Sequence, residues 1–225
     1  VLDVERGNAT IPYAARCVQC GACIVQCPGD AAILAEEAPY LTARALEPGE
    51  DETAAHIKRT GLFSEVLAKA AGWCPREAET IRLAAPMHDI GKIGIRDDIL
   101  LKRSGLTAEE YEKIKEHPQI GANIVGQLGL WDREKEIIRY HHEHYDGTGY
   151  PEGLQGEGIP FLSRILAVAD VFDAMASGRA YRKKIEEAVV LDAIRERAGT
   201  HFDPQVVETL LQLYQEGRFP TPSGA

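Results

Sequence analysis

The chain has 225 residues, of which 44% are hydrophobic and 27% are charged, a composition typical of a folded globular protein that excludes wholesale disorder. No apolar run approaches the ~20 residues that a transmembrane helix needs, and the first residues lack a secretory signal, so we expect a cytoplasmic protein that does not bind a membrane. The net charge of −10 argues against unspecific binding of a nucleic-acid polymer. An anionic substrate would therefore need a local cation, such as a metal ion.

A cysteine cluster dominates residues 1–46, which otherwise offer little for a hydrophobic core. Its spacing is C-x2-C-x2-C-x3-C-P, formed by Cys17, Cys20, Cys23 and Cys27. This run resembles half of a bacterial ferredoxin, and without an export signal metal ligation is favoured over disulfides. We predict a ferredoxin-like 4Fe-4S segment over residues 1–46, with a zinc knuckle as the alternative.

The fourth ligand of such a cluster is left open by the sequence. In two-cluster ferredoxins the last cysteine of the run serves the other cluster, and this chain has no second run. Either Cys27 closes its own cluster or a remote ligand does. Cys74 is the remaining candidate, although its position before Pro75 favours a helix N-cap. A half-ferredoxin with an exposed apolar face would also allow two copies to pair as a homodimer.

An acidic linker, residues 47–52, is predicted between this segment and a second domain over 53–225. The linker contains Pro48-Gly49, a pair that interrupts any helix. Beyond it, helical periodicity dominates and no segment shows convincing period-two alternation. We expect a mainly α-helical domain large enough for its own core.

Three helices have especially clear signals. Thr107 and Glu110 are spaced as a capping box. An apolar stripe predicts a helix over 161–177, and Asp203 before Pro204 predicts the start of another helix.

Histidines and carboxylates in this domain form a candidate metal site. Asp170 lies inside the apolar stripe, where a carboxylate is costly to bury unless it is paired or bound to a metal. Imidazole and carboxylate groups suit iron, manganese or zinc, and about eight such ligands fit two bridged ions rather than one. Two ions ~3.5–4 Å apart clamp a phosphodiester and activate a bridging water. The candidate ligands are Glu52, His56, His88, Asp89, His117, His141, His142 and Asp170.

Three motifs match a known family. His88-Asp89-Ile90-Gly91-Lys92, His117-Pro118 and the run from His141 to Pro151 resemble the HD-GYP domain, a branch of the HD metal-dependent phosphohydrolases. The resemblance covers roughly three quarters of the chain and implies an HD-GYP helical bundle. Members hydrolyse the bacterial second messenger cyclic di-GMP to pGpG and, in some cases, to GMP.

The resemblance distributes the candidate ligands over two ions that share Asp89. One ion would take His56, His88, Asp89 and Asp170, and the other Asp89, His117, His141 and His142. A glutamate at the position of Glu52 accompanies a third metal in some members, so two or three divalent ions are expected. Iron is favoured, with manganese as the alternative. We also expect Asp173 to accept a hydrogen bond from a ligand imidazole.

Substrate contacts are implied by the same resemblance. Besides the catalytic Asp89, Lys92 would stabilise charge at the scissile phosphate. Arg179 and Arg182 match positions that hold the substrate phosphates. The loop Gly149-Tyr150-Pro151 is expected near the substrate and as a docking surface for diguanylate cyclase domains.

The leading hypothesis is a cyclic di-GMP phosphodiesterase in which a hydroxide bridging the metals attacks phosphorus. One alternative is a non-catalytic cyclic-dinucleotide sensor or partner-docking module, which the complete ligand set disfavours. Another is a hydrolase of 3′,3′-cyclic GMP-AMP, since the sequence has no readable code for guanine. The iron–sulfur segment further suggests redox regulation, or exchange with a redox partner.

Overall fold

The computed structural model describes residues 3–5, 8–10, 51–102, 104–127, 132–177 and 185–221, and for those before residue 55 it describes the backbone alone. In these ranges two short strands precede a series of helices. The strands are β1 (Asp3–Glu5) and β2 (Asn8–Thr10), and the helices are α1 (Asp51–Ala70), α2 (Pro75–Ala84), α3 (Asp97–Leu100), α4 (Ala108–Ile114), α5 (His117–Gly126), α6 (Asp132–Tyr140), α7 (Phe161–Ala176), α8 (Glu187–Arg195) and α9 (Pro204–Gln215). Short 3-10 turns occupy Ala85–Met87, Ile90–Gly94 and Gly156–Gly158.

The mainly helical fold class is confirmed for the described residues. The predicted cluster ligands Cys17, Cys20, Cys23 and Cys27 lie outside them. Among the described residues, no helix has the length and apolarity that a bilayer span requires.

Helix ends follow the local signals in the sequence. Thr107 accepts a hydrogen bond from the backbone N–H of Glu110 at 3.2 Å and donates its own backbone N–H to the Glu110 carboxylate at 2.8 Å, which completes the capping box. Asp203 accepts from the backbone N–H of Gln205 at 2.8 Å at the start of α9. Cys74 is the exposed N-cap residue of α2, as its position before proline predicts.

Two features differ from the sequence-based expectation. Helix α1 begins at Asp51, so residues 51 and 52 of the predicted linker are helical; the Pro-Gly pair ends at residue 49, and nothing after it opposes a helix. β1 and β2 pair in antiparallel register, with Asp3 opposite Thr10. Each strand has three residues, which is too short for an alternating pattern to be recognised.

The core lies where α1 crosses α7. The rings of Phe63 and Phe172 are fully buried and meet edge to face with centroids 5.6 Å apart, and Phe219 adds a third ring at 5.1 and 5.2 Å. Such ring pairs contribute about 0.5–1.5 kcal/mol beyond their burial. These contacts fix α1 against α7. His56 lies two turns before Phe63 in α1, and Asp170 lies two residues before Phe172 in α7, so the same contacts hold His56 close to Asp170.

A second contact positions the 3-10 turn after Asp89. Gly91 packs so closely on the first turn of α5 that a Cβ atom there would collide with the carbonyl oxygen of His117. The missing side chain therefore allows Asp89 and His117 to approach each other.

Candidate metal centre

Seven of the eight predicted ligands converge in two groups, and within each group the ligand atoms all lie within 4.8 Å of one another. The Asp170 group consists of His56, His88 and Asp170, and the Asp89 group consists of Asp89, His117, His141 and His142. The eighth residue, Glu52, belongs to α1, but its side chain lies outside the described part of the structure.

Asp89 lies between the two groups. Its Oδ1 is 3.2 Å from Nε2 of His117, and its Oδ2 is 3.4 Å from Nε2 of His88. Nε2 of His88 is in turn 3.7 Å from Oδ1 of Asp170. A single carboxylate therefore faces a histidine of each group, which is the position that a bridging ligand needs.

Three of the histidines are oriented by the backbone. Nδ1 of His88, His117 and His141 lies 2.6, 2.7 and 2.7 Å from the carbonyl oxygen three residues earlier. Because a carbonyl only accepts, Nδ1 must carry the hydrogen, which in the neutral ring leaves the lone pair on Nε2. Hydrogen bonds of this kind fix the orientation of metal-binding imidazoles.

His56 is oriented by a carboxylate instead. Its Nδ1 lies 2.6 Å from Oδ2 of Asp173, the acceptor that the sequence predicts. Asp173 is fully buried and also accepts two hydrogen bonds from Arg59, at 2.6 Å to Oδ1 and 3.1 Å to Oδ2. Sequence reasoning misses Arg59, although its position three residues after His56 puts both on one face of α1.

The Nε2 atoms support the metal interpretation. Those of His56, His117 and His141 are buried and make no hydrogen bond with suitable geometry. Nε2 of His56 nevertheless lies 3.2 Å from Oδ1 of Asp170. Nε2 of His117 lies at the same distance, 3.2 Å, from Oδ1 of Asp89. A nitrogen lone pair that faces a carboxylate needs a cation between them, either a proton or a metal ion. The donor set fits a divalent ion such as iron, manganese or zinc.

Proton affinity differs between the two groups. Burial alone would lower the pKa of His56, but the nearby carboxylates of Asp170 and Asp173 outweigh it and raise the pKa to about 9. In the Asp89 group, burial and the neighbouring His117 lower the pKa of His142 to about 3. Burial and the other histidines also hold the pKa of His141 well below its usual value. Without a metal, His56 in the Asp170 group retains a proton, whereas His141 and His142 in the Asp89 group are neutral.

The predicted substrate loop packs on the Asp89 group. The ring of Tyr150 stacks on His142 with centroids 4.8 Å apart, and its backbone N–H donates to the carbonyl of His142 at 3.1 Å. Pro151 follows through a cis peptide bond. A Cβ atom on Gly149 would collide with the backbone of residues 142–144, so only glycine fits this approach.

Glu143 anchors the far side of this loop, a role that the sequence did not reveal. Its buried carboxylate accepts backbone N–H groups of Glu152, Gly153 and Leu154 at 2.7, 3.1 and 3.0 Å. The loop is therefore fixed from both sides.

Lys92 lies at the edge of the centre, with Nζ 2.6 Å from Oδ2 of Asp89 and 29% of its side chain exposed. Burial alone would raise the pKa of Asp89, but the charges of Lys92 and His88 hold it well below its usual range. The other predicted phosphate ligands, Arg179 and Arg182, lie outside the described residues.

Known proteins resemble this chain over most of its length. One relative, a 3′3′-cGAMP-specific phosphodiesterase of Vibrio cholerae, is 39% identical over 183 residues, which are 80% of this chain and 35% of the relative. Another, a cyclic di-GMP phosphodiesterase of Thermotoga maritima, is 44% identical over 169 residues, 73% of this chain and 45% of the relative. The chain thus spans less than half of either protein.

A solved structure of a cyclic GMP-AMP specific phosphodiesterase from V. cholerae has the same fold, with a TM-score of 0.64, 23% identity and coverage of 83% of this chain and 50% of that one. The model of the HD domain family matches residues 32–206. The matched range contains all the described ligands of both groups. The chain therefore belongs to the HD domain family.

Proposed function

We propose that this chain is a metal-dependent phosphodiesterase of the HD-GYP branch that hydrolyses cyclic di-GMP to pGpG. The observation that carries the proposal is the pair of ligand groups that meet at Asp89. The names of the similar proteins favour a cyclic dinucleotide as the substrate.

Each described side chain has a defined task in this proposal. The Asp170 group and the Asp89 group would each hold one divalent ion, with Asp89 shared. Two such ions supply an activated water and neutralise the oxygens of a phosphodiester. Lys92, partly exposed beside Asp89, donates from its ammonium group to a non-bridging phosphate oxygen and stabilises the charge that develops there. Tyr150, stacked on His142, would contact the substrate beside the ions.

Two other activities are distinguished by the same assay. A relative named for 3′3′-cGAMP favours a mixed cyclic dinucleotide as the second candidate substrate. A sensor without catalysis would bind cyclic di-GMP and leave it intact, but a sensor has no need of the oriented imidazoles in both groups.

The test is chromatography of products after incubation of anaerobically purified protein with cyclic di-GMP, 3′,3′-cGAMP or cyclic di-AMP, in the presence of Fe²⁺ or Mn²⁺. We expect metal-dependent conversion of cyclic di-GMP to pGpG, and continued incubation shows whether GMP follows. Binding of intact cyclic di-GMP without turnover would favour the sensor. Faster conversion of 3′,3′-cGAMP would assign the second substrate.

The proposal includes a third ion at Glu52, which the resemblance to HD-GYP domains implies. It also includes a 4Fe-4S cluster, which the cysteine spacing predicts at Cys17, Cys20, Cys23 and Cys27. Counting iron, sulfide and zinc per chain tests both. About four sulfides that disappear in Cys20→Ala would support the cluster, and zinc without sulfide would replace it by a zinc site. Hydrolysis rates that are identical with the cluster oxidised, reduced and absent would refute redox regulation.

A further inference from the structure

Tyr111 and Lys115, which have no role in the proposed hydrolysis, form a cluster with Tyr150 beside the metal centre. Nζ of Lys115 lies 5.1 Å from the ring centroid of Tyr111 and 5.8 Å from that of Tyr150. Tyr111 belongs to α4, Lys115 follows its last turn, and Tyr150 belongs to the loop on His142. We call Tyr111, Lys115 and Tyr150 the rim cluster.

The rim cluster is both open to solvent and continuous with the metal centre. Tyr111 is 45% exposed and the side chain of Lys115 is 30% exposed. Tyr150 stacks directly on His142 of the Asp89 group. A ligand whose phosphate lies at the metal centre therefore has this surface within reach of its remaining atoms.

The position of Lys115 is unusual for a surface lysine. Two residues earlier, in α4, the side chain of Lys113 is 62% exposed and pairs only with Glu116 among the contacts described for it. Lys115 also has an acidic partner, Glu112 at 2.7 Å, yet its ammonium group lies over two aromatic rings. Because an ammonium group has three hydrogens, the bond to Glu112 leaves donors for a ligand.

Aromatic faces and a lysine donor together match the chemistry of a purine. Any base can stack on a tyrosine ring. Guanine presents two neighbouring acceptors, O6 and N7, whereas adenine presents a donor, the N6 amino group, beside N7. An ammonium group, which only donates, therefore favours guanine.

We propose that the rim cluster binds one guanine base of the cyclic dinucleotide, with Tyr111 stacking on the base and Lys115 donating to its O6 and N7. This proposal rests on the proposed function for the identity of the ligand. It supplies the guanine recognition that the sequence alone does not reveal.

The test measures equilibrium binding and hydrolysis of cyclic di-GMP and cyclic di-AMP by metal-loaded wild-type protein, Lys115→Met, Tyr111→Leu and the matched control Lys113→Met. We expect Lys115→Met to weaken cyclic di-GMP binding by about tenfold and to leave cyclic di-AMP binding unchanged. Tyr111→Leu should weaken both ligands by about the same factor, because stacking tolerates either base. Lys113→Met should match the wild type.

The outcomes separate this proposal from the proposed function. Equal losses for both ligands in Lys115→Met, no loss for either, or an equal effect of Lys113→Met would each overturn the guanine site. Because binding and product release are separate readouts, wild-type protein that binds cyclic di-GMP but releases no pGpG would refute the hydrolase and still test the rim cluster. Melting temperatures equal to that of the wild type would show that the substitutions leave the fold intact.

Discussion

The two ligand groups meet at Asp89 but are built in different ways. In the Asp170 group, His56 depends on the buried carboxylate of Asp173, and its pKa is raised to about 9. In the Asp89 group, two histidines are oriented by backbone carbonyls, and burial and His117 lower the pKa of His142 to about 3. The Asp170 group thus depends on side-chain charge at His56, while its other histidine, His88, is oriented by a backbone carbonyl. Through His56 this group competes with protons for a metal. The other depends on backbone geometry and has histidines ready to bind a metal at neutral pH.

The largest loss of activity is expected from a substitution at Asp89, because its carboxylate faces both groups. Asp89→Asn removes a charge from both groups at once. Hydrolysis should fall by more than ~100-fold, beyond the 10–100-fold typical of losing a hydrogen-bond partner of a ligand. Steady-state kcat/KM and metal content would be measured together. Asp98→Asn, in an exposed pair with Arg96, serves as the control and should resemble the wild type.

Backbone geometry is tested by Gly149→Ala. Because a Cβ atom there collides with the backbone beside His142, we expect loss of the ion held by the Asp89 group while the Asp170 group keeps its ion. Metal content and thermal melting are the measurements. Gly158→Ala is the matched control, since nothing lies within 4 Å of a Cβ at that position. Full metal content in the Gly149 variant would contradict the packing argument.

The role of side-chain charge is tested by Asp173→Asn, which should weaken metal binding by the Asp170 group alone, since Asp173 contacts His56. Affinity for that ion should fall about 10–100-fold, as expected when a carboxylate that orients a ligand histidine is lost. The free energy of unfolding should fall by up to ~3–5 kcal/mol, because Asp173 is one partner of a buried ion pair. Asp192→Asn, at an exposed pair with Arg195, should cost no more than about 1 kcal/mol. An equal loss of metal affinity in both groups would refute the claim that the two groups are supported independently.

The sequence predicted which side chains converge better than it predicted the residues that hold them in place. Local motifs around His88 and His117 indicate candidate ligands, and the position of Asp170 in an apolar stripe reveals a carboxylate that needs a partner. Arg59 could not be recognised, because a single arginine on a helix is usually a surface residue. Its role depends on the crossing of α1 and α7.

The rim cluster was invisible for the same reason. Tyr111 and Lys115 lie on or just after α4, and Tyr150 lies about forty residues later in the chain. Only the fold of the loop on His142 brings them together. The helices themselves were easier to predict, since the capping box at Thr107 and the apolar stripe are local signals.

The smallest effect is a difference in pH dependence. Because the raised pKa of His56 keeps a proton on it below about 9, a metal must displace that proton. Affinity for the ion of the Asp170 group should therefore rise between pH 6.5 and 9, by at most about tenfold per pH unit for one proton. Affinity of the Asp89 group should change less, because His142 is already neutral. Mn²⁺ titrations at several pH values would measure the Asp170 group in Gly149→Ala and the Asp89 group in Asp173→Asn. A steeper dependence of metal affinity on pH for the Asp89 group would contradict the assignment.

The shared centre itself is tested most directly by electron paramagnetic resonance of the protein loaded with Mn²⁺. The wild type should give the spectrum of an exchange-coupled pair, as expected for ions ~3.5–4 Å apart, and His56→Ala and His141→Ala should each reduce it to that of an isolated ion. An uncoupled spectrum of the fully loaded wild type, or coupling that survives His141→Ala, would contradict a centre shared through Asp89.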